Sequence, residues 1–242
     1  MGNTVSQRIE GAGTTCSLQL SGLKLKKLPR EINGLKKLKS IDLSNNKLDK
    51  IQDLPSHETV SYLNLSKNFL VTLPECILTF KLLTKLDLSR NNIVRLSPED
   101  GYLELWNLSS LKRIDLSYNS ITEFPIELAT DRVPLEILNL SHNQIAVVPD
   151  SIGNFRVHEL DLSFNKLNYV SNDTAKCPNL VNLKINNNKL DIENFPEKIF
   201  TQSSLTVFHY DNNLFKHSQV QSLPGYSDFA ERFAASASKN LK

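Results

Sequence analysis

The first eight residues, MGNTVSQR, hold the most specific chemical signal in the chain. They match M-G-x-x-x-[ST], in which removal of Met1 bares the α-amine of Gly2 for myristoylation and Ser6 stands at the required place. Gly2 is therefore the candidate lipidation site. Elsewhere the reactive side chains do not assemble. The five histidines, His57, His142, His158, His209 and His217, are not at metal-ligand spacings such as HExxH. The eight glycines are scattered and form no phosphate loop. The serines have no convergent histidine and acid, so no triad is expected. The three cysteines, Cys16, Cys76 and Cys177, are far apart and odd in number. They suggest neither a disulfide framework nor a zinc cluster, and a reducing compartment is expected. The expectation is a non-enzyme with no cofactor, no metal and no small-molecule substrate.

Composition sets the class. Of 242 residues, 40% are hydrophobic and 22% charged, as in a folded domain with a sizeable core. The first twenty residues hold no long apolar run and no stretch of eighteen apolar residues occurs, so neither a secretory signal nor a membrane span is expected. The N-x-[ST] tripeptides at Asn64, Asn107, Asn139 and Asn172 are then expected to be silent.

A repeat must position whatever works here. LKSIDLSNNKL (38–48) recurs as VSYLNLSKNFL (60–70), LTKLDLSRNNI (83–93), LKRIDLSYNSI (111–121), LEILNLSHNQI (135–145), VHELDLSFNKL (157–167) and LVNLKINNNKL (180–190). LTVFHYDNNLF is a weaker copy, and SLQLSGLKL is a degenerate one with Leu23 where the asparagine belongs. The period is about 24 residues. Over roughly residues 17–215 the chain resembles the leucine-rich-repeat family. The L-x-L alternation supplies a short half-buried strand, and stacking the strands in parallel buries a leucine core that no single coil could bury alone. Asn46, Asn68, Asn91, Asn119, Asn143, Asn165, Asn188 and Asn213 turn the chain inward, and their amides are expected to form a structural ladder rather than a ligand site.

The fold class expected is α/β: a curved horseshoe solenoid with a parallel concave sheet, short helical or irregular convex segments, and a C-terminal capping helix. The division is 1–16, a flexible tail with the lipidation motif; 17–215, the repeats in about nine coils; and 216–242, cap and tail. Tyr226, Phe229 and Phe233 lie at helical spacing, which suits a cap and less readily a partner-binding helix. The one long spacing, Asn91 to Asn119, contains SPEDGYLELWNLSS. Its Trp106 either packs on the core or protrudes as a contact. The two ends resemble those of a small N-myristoylated member of the family, which implies a lipid-anchored intracellular repeat protein without catalytic activity.

Charge is uneven. Ten basic residues against four acidic ones leave +6 in residues 1–50, and with the chain's +2 that makes the remainder −4. Either lysines solvate the first coils, or Arg8, Lys24, Lys26 and Lys27 meet anionic lipid beside the myristate. Alternation sends three columns to the concave side: a central one with Asp42, Asn64, Asp87, Asp115, Asn139 and Asp161, one before it with Tyr62, Lys85, Arg113, Ile137 and Glu159, and a serine column after it. Arg113 and Asp87 are placed to pair across adjacent strands. This surface is mixed in charge, so no nucleic acid is expected. Tyr118, His142 and Phe164 follow consecutive strands and are expected to gather near Ile137, packed on neighbouring turns or exposed as interface anchors.

The function expected is a non-catalytic, membrane-anchored cytoplasmic adaptor or scaffold in signalling, with an unidentified protein partner contacting Tyr118, His142, Phe164, Ile137, Tyr62, Asp87, Arg113 and Asp115. The alternative is a soluble regulatory subunit that modulates an enzyme such as a protein phosphatase, an expectation resting on fold-level analogy.

Overall fold

In the computed structural model, residues 2–55, 58–97, 104–130 and 132–239 are described. His57 and part of the long insertion, residues 98–103, lie outside them. The chain forms two compact units, residues 1–120 with 132–135 and residues 121–131 with 136–242.

The first unit opens with a helix, α1 (Gly2–Thr15), followed by β1 (Ser17–Gln19), β2 (Ser40–Asp42), β3 (Tyr62–Asn64), β4 (Lys85–Asp87) and β5 (Arg113–Asp115). These strands pair in chain order, all parallel and with no register slip: Leu18 lies against Ile41, Ile41 against Leu63, Leu63 against Leu86 and Leu86 against Ile114. The second unit carries β6 (Ile137–Asn139), β8 (Glu159–Asp161), β10 (Asn182–Lys184) and β11 (Val207–His209), likewise parallel. A separate parallel pair joins β7 (Val147–Val148) to β9 (Tyr169–Val170).

Each of these nine strands, β7 and β9 apart, is only three residues long because the repeat supplies one inward residue between two outward ones. Leu63, Leu138, Leu160 and Leu183 are the inward residues of their strands and are fully buried. The next repeat leucine of each coil joins them, as Leu43, Leu65, Leu140 and Leu162 do. Each buried leucine contributes about 1.5–3 kcal/mol of hydrophobic stabilisation, so the stacked column dominates the energetics. The return segments are short 3-10 turns: Arg30–Gly34, Glu75–Thr79, Ile126–Leu128 and Asp150–Asn154 each begin directly after a proline. Proline suits that place because its fixed φ fits the turn and the N–H it lacks would be unpaired there. Before Asn172–Lys176 Ser171 takes the place of proline, its hydroxyl accepting from the Asp173 N–H at 3.0 Å.

The asparagine ladder is continuous within each unit. The Asn68 Nδ2 donates to Leu43 O and Leu65 O, both at 3.0 Å, and its Oδ1 accepts from the Leu48 N–H at 3.0 Å. Asn46, Asn91 and Asn119 repeat the pattern in the first unit, and Asn165, Asn188 and Asn213 in the second. Asn143 donates to Leu140 O and accepts from the Ile121 N–H.

The ends depart from the sequence reading. Residues 2–16 are not a loose tail: α1 covers the edge coil, burying Ile9 and Ala12. An open solenoid edge exposes leucine, and this helix removes that exposure. It ends at Cys16, in the left-handed region at φ +57°. In the second unit α2 (Ile199–Gln202), α3 (His217–Gln221) and α4 (Tyr226–Lys239) close the other edge. Phe229 is buried against Phe200 and Phe208, but Phe233 is 45% exposed and so is not one of the capping anchors. Arg232 does cap: its guanidinium donates to Phe200 O at 3.1 Å and Leu205 O at 3.4 Å. Trp106 stays out of the core, 40% exposed, while its neighbours Leu105 and Leu108 are buried.

Candidate partner-binding surfaces

The outward residues of β3, β4 and β5 line a shallow groove of about 490 Å³ that contains Tyr62, Asp87, Arg113 and Asp115 together with Ser61, Thr84 and Lys85. Parallel pairing without slip sets its electrostatics. Lys85 lies directly beside Arg113, and Asp87 beside Asp115, so like charges are neighbours in register and the Arg113–Asp87 relation is only diagonal. Burial pushes the Asp87 carboxyl above the usual carboxylate range, and Asp115 and Asp42 push the same way, against two hydrogen bonds from Ser89. The Tyr62 phenol is raised by burial and then by Asp87 and Asp42.

Alternation alone misplaced the serines. Ser66, Ser117, Ser141 and Ser163 are buried rather than concave. Each donates its N–H to the Oδ1 of the residue two before it, as Ser66 does to Asn64 at 3.0 Å and Ser163 to Asp161 at 3.0 Å. The Oδ1 atoms of Asn64, Asp115, Asn139 and Asp161 are thereby committed to their own coil. The signal was present as the recurrent [DN]-x-S.

In the second unit Ile137 is half-buried and lies beside Glu159. Lys184 bridges Glu159 at 2.9 Å and Asp161 at 3.2 Å. Burial opposes its charge, but the Glu159 hydrogen bond and Asp161 prevail and raise its pKa. Just past the strands His142 and Phe164 stack, ring centroids 4.3 Å apart and planes at 8°. Phe164 is 46% exposed. In the first unit Tyr118 lies under the Arg90 guanidinium, 4.1 Å from its ring centre. Tyr118, His142 and Phe164 all have φ near +55°. Lys67, Arg90 and Asn187 share that value at the same place in their coils, so it belongs to the inward turn rather than to any site.

The basic residues do not form one cluster. Arg8 donates to Gln19 O at 3.2 Å and Ser21 O at 3.3 Å, which ties α1 to β1. Lys26 and Lys27 line a groove of about 500 Å³ with Arg30 and Lys50, but also with Asp49 and Asp53. Lys24 lies elsewhere, in a hollow of about 440 Å³ with Lys47, Lys67 and Arg90 around Phe69. Gly2 is the first residue of α1. Among the described residues no group of three or more His, Cys, Asp or Glu is placed to hold a metal ion, and no helix is long and apolar enough to cross a membrane.

The Leucine Rich Repeat family profile matches residues 37–57, 82–102, 110–130 and 134–155. The chain belongs to the leucine-rich-repeat superfamily. It is 30% identical over 185 residues to the probable serine/threonine-protein kinase pats1 of Dictyostelium discoideum, a stretch that is 73% of this chain and 6% of pats1. Internalin C2 of Listeria monocytogenes has the same fold, with a TM-score of 0.67 at 20% identity over 85% of this chain and 92% of that one. A plant peptide hormone receptor, RGFR1 in complex with RGF2, gives a TM-score of 0.57 at 25% identity over 81% of this chain and 33% of the receptor. The likeness to the kinase runs through the repeats. A fold built only of these repeats is typically a non-catalytic module for protein–protein interaction.

Proposed function

We propose that this leucine-rich-repeat protein is a non-catalytic adaptor, held at a membrane by myristate on Gly2, that binds a protein partner across its concave face and strand ends. The observation that carries the binding reading is the His142–Phe164 stack, with Phe164 46% exposed, presented on turns that the asparagine ladder bonds to the neighbouring coil. Large aromatic side chains fixed before docking lose little entropy on binding, which is why they recur as interface anchors. The RGFR1–RGF2 complex supports the reading by analogy, as a related repeat that binds a peptide. In the first unit, the groove around Tyr62, Asp87, Arg113 and Asp115 is a polar contact surface in its own right.

The test pairs capture with location. The His142→Ala/Phe164→Ala variant should lose the partner captured by the wild type, with its melting temperature within a few degrees of the wild type's. Retained capture rejects the aromatic site. Gly2→Ala should move the protein from the membrane to the soluble fraction. A wild type already soluble rejects the anchor and favours a soluble regulatory subunit.

A further inference from the structure

The direction of α1 decides where a lipid on Gly2 would emerge. The helix ends at Cys16, whose carbonyl accepts from the Lys39 N–H at 2.8 Å just before the strands begin. Arg8 reaches the carbonyls of Gln19 and Ser21, at the far end of β1. The helix therefore runs antiparallel to β1. Gly2 lies six residues beyond Arg8, about 9 Å further along the axis, past the carboxyl ends of the strands.

That flank carries the hollow around Phe69. Lys24, Lys47, Lys67 and Arg90 line it, with the asparagines of the inward turns and no acidic residue. Phe69 is half exposed, and Val71 and Val94 lie exposed after the same turns. By contrast, the groove of Lys26, Lys27, Arg30 and Lys50 contains Asp49 and Asp53, which offset half of its charge.

We infer that the strand-end flank formed by Lys24, Lys47, Lys67 and Arg90 around Phe69 is a membrane-docking face that seats on anionic phospholipid headgroups, on the side to which α1 delivers the Gly2 acyl chain. The inference rests on the myristoylated adaptor reading and supplies the half of the anchor which that reading lacks. A single myristoyl chain binds bilayers with a constant of about 10⁴ M⁻¹, too weak to hold a protein, and each basic residue near an anionic surface multiplies binding about fivefold to tenfold. The apolar rim suits the interfacial layer, where Phe69 would lie among the headgroups.

The experiment is co-sedimentation of the full myristoylated chain with vesicles of pure phosphatidylcholine and with vesicles containing roughly 30% phosphatidylserine, a composition that imposes a negative surface potential. The wild type should bind the anionic vesicles roughly 100-fold or more tighter than the neutral ones. Lys24→Gln/Lys47→Gln/Lys67→Gln should bind both equally, while Lys26→Gln/Lys27→Gln/Arg30→Gln keeps most of the preference. Unchanged circular dichroism melts show that both variants are folded. If the flank variant retains the preference, or the second variant loses it, the docking face is wrong although the lipid anchor stands. If Gly2→Ala binds neutral vesicles as well as the wild type does, the anchor is wrong, and the loss of anionic binding in the flank variant still reads the docking face by itself. An absence of any anionic preference in the wild type overturns the inference outright.

Discussion

Replacing Asn68 with leucine tests what holds the coils together. The asparagine is buried and joins four backbone groups, two of them on the preceding coil. The change does not orphan all four. Leu43 O keeps the Asn46 Nδ2 at 2.9 Å, Leu65 O keeps the Asn91 Nδ2 at 3.0 Å, and Ser66 O keeps the Asn45 N–H at 2.9 Å. Only the Leu48 N–H loses the partner that faces it. A buried N–H left unpaired costs about 1–3 kcal/mol, and each carbonyl's lost second bond adds about 0.5 kcal/mol. Leucine fills the space but repairs neither term, so the expected loss is about 2–4 kcal/mol. With a urea dependence near 3 kcal/mol/M for a domain of this size, the midpoint should fall by about 1 M. Hydrogen exchange localises the effect, because the Leu48 amide should lose protection ahead of the amides of β4. An unchanged midpoint with Leu48 still protected would refute the idea that the ladder stabilises the stack.

Three further outcomes follow from other positions. Gly225 has φ +78°, and a Cβ there would stand 2.7 Å from Thr201 Cγ2 and 3.3 Å from the Phe200 carbonyl carbon; Gly225→Ala should cost about 1–3 kcal/mol, and adding Thr201→Ser should recover part of it, read by thermal melts. Asp87→Asn keeps the acceptor for Ser89, as Asn64 shows for Ser66, but removes the charge beside Asp115. Because the folded state holds the Asp87 proton to higher pH than the unfolded state does, wild-type stability falls as pH rises from 3.8 through the folded pKa. The variant should therefore be more stable at pH 7 by about 0.2–1 kcal/mol and no more stable at pH 3, and equal gains at both would reject the like-charge account. The thiols of Cys76 and Cys177, pushed up to about 12 by burial, should resist iodoacetamide at pH 8 until urea is added, as mass mapping would show.

How far the sequence carried these conclusions differs by feature. The strands, their core leucines and the ladder asparagines were legible because one local pattern recurs in every copy, and recurrence turns a weak periodicity into a register. The site was legible only in part. Tyr62, Asp87, Arg113 and Asp115 do line one groove, since neighbouring strands pair without slip, and His142 meets Phe164 for the same reason. Alternation failed at the serines, because the chain leaves the strand one residue early and turns them inward to cap the Asp or Asn two before. The helix at the amino end was hidden by composition. Asn3, Gly11, Gly13, Thr14 and Thr15 are poor helix formers, and only Val5, Ile9 and Ala12 keep a helical spacing. Tertiary burial of Ile9 and Ala12, with the Arg8 bonds, overrides that propensity. The same helix changes the meaning of the basic residues. Charge counted along the chain put Arg8, Lys24, Lys26 and Lys27 together, but charge placed on the fold separates them, spends Arg8 on the backbone and joins Lys24 to Lys47, Lys67 and Arg90, residues up to 66 positions away in sequence.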